Sequence, residues 1–243
     1  MKINQYKNLI IIIGIFLVHP LAVTHVHASL NSYIVFRDTV YMQNRSLLDT
    51  MRLYTTSKQD IENTLSGAER YLALARCEFL MGIMFKAENR NSEAAAYFEQ
   101  GIAFAENSIA LSPTSEGYLL LGSGISFLCE VRTSYGLRNH GKVLENAQRA
   151  LDLDPNNLMA QHLIASYYIV APWPITNVRR GEAMLRDILN QNYLSLDKDD
   201  QFNLYLMLQL VCIKQKKNQE AQMWCDRGAT VYPTNNFISL LVK

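Results

Sequence analysis

Apolar residues recur every three or four positions along most of the chain, and the recurrence breaks at a few defined places. In "NAQRALDLDPNNLMAQHLIASYY" (146–168) a periodic run reaches Ala150 and Leu151. It stops at Leu153-Asp154-Pro155-Asn156-Asn157 and then resumes with the same period. A period near 3.6 residues predicts amphipathic helices. Proline ends the first helix because it lacks an N–H and its ring clashes with the preceding turn. A neighbouring Asn, Ser or Thr then caps the next helix with its side-chain oxygen. The same punctuation stands at Ser112-Pro113 and at Tyr232-Pro233-Thr234-Asn235-Asn236. A run interrupted in this way reverses and packs on itself as an αα-hairpin. The pattern therefore predicts an all-α chain with hairpins at 70–111, 114–154, 156–191 and 200–235, followed by a C-terminal helix. Leu30, Tyr33 and Ile34, then Leu47, Leu48, Met51 and Tyr54, are also helically spaced. They predict one or two helices in 29–66 that cap the open end of a stack.

The hairpins resemble the tetratricopeptide repeat, a unit of about 34 residues with small and aromatic residues at fixed places. Tyr205, Leu208, Gln209 and Cys212, then Ala221, Cys225, Gly228 and Pro233, fit that spacing. Met81-Gly82, Phe85, Ala94, Phe98 and Gly101 fit it in residue type. Val143, Ala147, Ala150 and Pro155 end the second unit; Ile164-Ala165 and Tyr168 begin the third, continued by Gly181, Leu185 and Ile188. Small residues let two helices approach, and the larger ones fill the space between hairpins. The positions that match the repeat's glycine, 82, 122, 165 and 209, are spaced by 40, 43 and 44 residues, so the helices or turns are longer than the family's. The resemblance covers residues 70 to 236 and implies a stacked helix-turn-helix solenoid, residues 67–243 here, that binds a partner and is not an enzyme. A weaker resemblance, to periplasmic repeat proteins that accompany tripartite transporters, implies instead a small apolar ligand or lipid.

The first residues carry an address. Lys2 and Lys7 precede the apolar run Leu9–Val18, and "THVHAS" offers small residues for cleavage before Ser29. This is the three-part pattern of a secretory signal over residues 1–28, with an apolar run short for a membrane span. The expectation is export, to a bacterial periplasm, with an uncleaved anchor at 9–23 as the alternative and the only membrane contact. His25 and His27 fall in the discarded segment. Cleavage removes two of the 23 basic side chains and none of the 22 acidic ones, for a net charge of −1. No nucleic-acid partner is expected from that balance.

Motifs for chemistry are sparse. Ser195-Leu196-Asp197-Lys198 matches a short acyl-transfer pattern but lies in a polar connection without a companion motif. Asp197, Asp199 and Asp200 precede a helix, where capping and the macrodipole account for acids. Gly122-Ser123-Gly124 follows no strand, so it reads as a close approach between helices and not as a phosphate loop. Two mature histidines, His140 and His162, and no Cys-x-x-Cys give no expected metal or cofactor. Cys212 and Cys225 occupy facing positions of one hairpin. In an oxidising compartment they could bond if their Cα atoms lie within about 7 Å; the alternative is two buried thiols. Met207, Leu208, Leu210 and Val211 form an apolar stretch suited to a helix buried on both sides, or to lining a greasy cavity.

Repeat position places a candidate binding face on the first helix of each hairpin. It comprises Phe79, Ile83 and Lys86; Leu119 and Ser123; His162 and Ser166; and Leu206, Leu210 and Ile213. This mixture, apolar with few charges, predicts a protein or peptide partner held by burial. "VAPWPITNVRRGE" (170–182) adds Trp173, Arg179 and Arg180. Two arginines in a first helical turn run against the macrodipole, and exposed Trp and Arg are the usual anchors of interfaces. The alternative is a buried Trp with solvated arginines.

Overall fold

A computed structural model describes residues 31–236 apart from residue 173. The signal segment, the anchor at 9–23, Trp173 and the C-terminal helix all lie outside the described residues. The described chain is all-α, with ten helices that pack mainly against their sequence neighbours. They are α1 (Asn31–Met42), α2 (Leu47–Thr64), α3 (Gly67–Ala87), α4 (Asn91–Leu111) and α5 (Ser115–Val131). Then follow α6 (Thr133–Leu153), α7 (Leu158–Val170), α8 (Val178–Asn190), α9 (Lys198–Lys214) and α10 (Asn218–Val231).

Local chemistry sets the ends. α4, α6 and α10 each stop two residues before Pro113, Pro155 and Pro233. Thr114 caps α5 by accepting from the Gly117 N–H at 3.1 Å, and Asn157 caps α7 by accepting from the N–H groups of Met159 and Ala160. The α3–α4 and α9–α10 turns share one geometry, with Asn89 and Lys216 both at a φ of 61°. Asn tolerates that left-handed conformation better than Lys does.

Packing follows from small residues facing rings. A Cβ on Gly82 would lie 2.2 Å from the Phe98 ring, and one on Gly101 would lie 2.3 Å from the Phe79 ring. α3 and α4 thus exchange a phenylalanine for a glycine in both directions. Gly122 and Gly124 make comparable approaches, to Leu163 and to Phe79. The core forms two apolar clusters. One is built on α1 to α4 and the other on α6 to α10, with α5 contributing to both. Phe202, Leu206 and Tyr232, from the last hairpin region, belong to the first cluster.

That membership links the last hairpin to the N-terminal helices. α1 contacts α9 as well as α3, while α3–α5, α5–α7 and α7–α9 also touch. The first helices therefore form a closed succession, in which α1 touches both α3 and α9. Tyr41 stacks on Tyr232 with centroids 5.1 Å apart, and Asn203 Nδ2 donates to Tyr41 Oη at 2.9 Å. Tyr232 Oη donates to Asp38, and Asn235 Nδ2 donates to the Tyr41 carbonyl.

Candidate functional site

Most of the expected binding face is interior. Phe79, Leu119, Ser123, His162 and Ser166 are completely buried, and Ile83, Lys86 and Leu206 nearly so; Leu210 and Ile213 are half-buried. An open stack would expose these positions, whereas closure through α1 packs the first helices against one another. Ser123 Oγ donates to the Leu119 carbonyl at 2.8 Å. Ser166 Oγ finds no hydrogen-bond partner among the described residues. Burial holds the His162 ring down to about 4.

The other singled-out residues scatter. Arg179 and Arg180 are exposed, as solvated arginines would be, and the Arg180 guanidinium lies 4.2 Å from the centre of the Tyr168 ring. Asn177 Oδ1 caps their helix by accepting from the Arg180 N–H. Ser195 is exposed and donates to the Asn192 carbonyl, and Lys198 faces Asp38, so this pair does not share a pocket. The acids at the start of α9 are not simple caps. Asp197 makes no capping hydrogen bond, and Asp199 is completely buried with Oδ1 3.1 Å from Arg37 of α1. Burial pushes the Asp199 carboxyl up to about 7 although Arg37 opposes the shift.

Cys212 and Cys225, like Cys77 and Cys129, are free thiols in this structure. Cys212 sits in the second apolar cluster while Cys225 packs against the first. Met207, Leu208 and Val211 are buried among core side chains. Among the described residues, no group of three His, Cys, Asp or Glu side chains could hold a metal ion.

The structure does gather one site that the repeat positions only touch. α7 ends at Val170 because Pro172 forces Ala171 into an extended conformation. α5 ends at Val131, and α6 starts again after Arg132 alone, also extended. A Cβ on Gly136 would lie 3.0 Å from the Cys129 carbonyl, so α6 leaves close against the end of α5. Between these ends and that of α3 lies a cleft of about 470 Å³, within the usual range for small-molecule sites of roughly 300–1,000 Å³. Leu137, Val143, Val170, Ala171 and Pro172 supply most of its apolar wall.

Its polar lining includes Ser126, Thr133 and two pairs. Lys86 Nζ of α3 donates to Glu130 Oε2 of α5, with side-chain exposures of 5 % and 8 %. Burial pulls the Lys86 ammonium down to about 7; the adjacent carboxylate favours the charged form. His140 Nδ1 lies 3.1 Å from Tyr167 Oη. Cys129 also lines the cleft, and burial pushes its thiol up to about 11, which keeps it from acting as a ready nucleophile. The arrangement can hold an apolar body and read one polar end.

Of these residues, only Lys86 was marked by repeat position. Glu130 had a signal of its own: an acid in the last turn of a helix opposes the macrodipole. Leu137, at 75 % exposed, is a large apolar side chain left to solvent at the cleft. No family model matches the chain, and no curated protein matches it.

Proposed function

We propose that this protein is a helical-repeat binding protein of the tetratricopeptide type that holds a small apolar or amphiphilic molecule between the ends of α3, α5, α6 and α7. The carrying observation is the cleft itself: largely apolar walls with a single buried ion pair at one side. Such walls supply affinity by burial, and few polar groups fix orientation. The apolar ligand implied by the weaker resemblance agrees with this reading, as does export to an envelope compartment. Native mass spectrometry of the protein purified from its own cells tests it. A stoichiometric apolar molecule, lost on organic extraction, is the expected result. A ligand-free mass, together with no binding of apolar probes, would overturn it.

A second reading, a scaffold for a protein partner, is favoured by Leu111 and Leu153. These end α4 and α6 at matching points before Pro113 and Pro155, and both are exposed. Repeated apolar residues along one edge suit a partner on the outside of the array. Cross-linking in the cell envelope separates the readings. A captured protein that is lost on Leu111→Ser and Leu153→Ser, with the cleft intact, supports the scaffold.

A further inference from the structure

The cleft gathers the ends of α3, α5 and α7, and a second recess, of about 630 Å³, gathers the start of α8 with the end of α9 and the start of α10. Only the short α7–α8 turn separates the end of α7 from the start of α8, so both open on one edge of the array. The charge of this edge is uneven. Residues 86–95, 129–140, 170–182 and 213–221 hold nine Lys and Arg against five Glu, a net of +4 in a chain whose net is +1. The carboxylates are already engaged. Glu88 and Glu93 pair with Arg90, Glu130 with Lys86, and Glu220 with Arg186. Glu182, the acid in the recess wall, accepts from Gln215, Arg186 and Lys217. Arg179, Lys214 and Lys216 are exposed and have no ion pair among the described residues. Arg179 lies in the first turn of α8 and Lys217 at the N-cap of α10, where the macrodipole disfavours cations. Lys216 is held at a φ of 61°, where the matching α3–α4 turn has Asn89. These placements cost the free protein, and an anion in the recess offsets them by meeting the cations and both helix N-termini.

We propose that this edge docks on an anionic phospholipid surface, with the phosphate of a headgroup in the recess between Arg179, Lys214 and Lys217. The choice of a lipid rests on the cleft being an apolar-ligand site: the cleft and Leu137, 75 % exposed, open on the same edge. Peripheral binding of this kind adds apolar insertion to charge attraction. A flat anionic surface also meets Arg179, Lys214 and Lys216 together, whereas a free phosphate engages the recess alone. The cleft then faces the membrane from which it takes its ligand.

Co-sedimentation of the protein, purified from its own cells, with vesicles tests this. One set is phosphatidylcholine alone and the other phosphatidylcholine with phosphatidylglycerol. Binding is expected to the mixed vesicles only, weakening steeply as salt rises. The Arg179→Gln/Lys214→Gln/Lys216→Gln variant should bind about a hundredfold more weakly, at about fivefold per cation near an anionic surface. Circular dichroism checks its fold, and the salt series on the wild type needs no variant. Equal binding to both vesicles, or binding that salt and the triple variant leave unchanged, would overturn the proposal. Inorganic phosphate and decaglutamate are titrated by calorimetry in parallel. If either binds the wild type while the mixed vesicles do not, the recess serves free phosphate or an acidic protein segment, and membrane docking falls. It falls equally if nothing binds. Dodecanol reads the cleft separately, and equal affinity for wild type and variant is expected. Failure of dodecanol to bind, alongside intact vesicle binding, would sink the cleft reading and leave the docking surface standing.

Discussion

Phe98 of α4 lies with its ring over Gly82 of α3, so close that a Cβ there would come within 2.2 Å of the ring. The ring is completely buried and has no space to retreat into. Gly82→Ala is therefore expected to destabilise the protein by about 1–3 kcal/mol, the usual range for overpacking. Phe98→Leu in the same background should recover part of that loss, because the two positions share one contact. Urea midpoints of the four proteins in this cycle measure it. A neutral Gly82→Ala would mean that α3 and α4 do not pack in this register.

Tyr232 joins the residue after α10 to α1, stacking on Tyr41 and donating to Asp38. Tyr232→Ala should cost about 3–5 kcal/mol if it behaves as other large buried aromatics do. The more specific expectation concerns place. Amide exchange should accelerate in α1 (Asn31–Met42), nearly two hundred residues away in sequence, as well as in α10. Acceleration confined to α10 would sink the closure of the array through α1.

His162 and Asp199 are both completely buried and act on stability in opposite senses. With its ring held down to about 4, His162 stays neutral while the unfolded chain takes up a proton below about 6.5. Its contribution is present above that pH and is lost as pH falls toward 4. Asp199, raised to about 7, contributes below about 4 and loses that contribution as pH rises. Relative to the wild type, His162→Leu should therefore shift the slope of stability against pH downward between about pH 4 and 7, and Asp199→Asn should shift it upward. Each variant also carries a pH-independent offset, so the slopes are compared. Chemical denaturation at several pH values provides them, and slope changes of the same sign would contradict the assignment.

Cys129 reports occupancy of the cleft. It lines the cleft and is half-buried, whereas Cys77 and Cys212 are buried. Alkylation by iodoacetamide should be slow because burial raises the Cys129 thiol. Saturating dodecanol should slow it by a further factor of about five or more, as expected when a ligand covers the site. Peptide mass spectrometry identifies the modified position. Unchanged Cys129 labelling alongside measurable dodecanol binding would place the ligand elsewhere.

Helix ends were readable from single residues. Pro113, Pro155 and Pro233 stop helices through their own rings, and Thr114 and Asn157 cap the next helices through bonds spanning two or three residues. The small positions 82 and 122 likewise marked where helices approach. Repeat position says which way a side chain points but not what lies opposite. Phe79, Leu119, Ser123, His162 and Ser166 point to the expected side and meet other helices there. Asp199 looked like a capping acid until Arg37, far back in the chain, was placed against it.

The sequence by itself determined the helical class, the turns at the prolines and the small-residue contacts, since each depends on groups close together in the chain or repeated at a fixed period. Only the tertiary structure decided that α1 meets α9, that the expected face lies inside, and that Lys86 and Glu130 share a cleft with Leu137 and Val170. These contacts join residues tens to nearly two hundred positions apart. They follow from how small angles between successive hairpins accumulate, which no local pattern encodes.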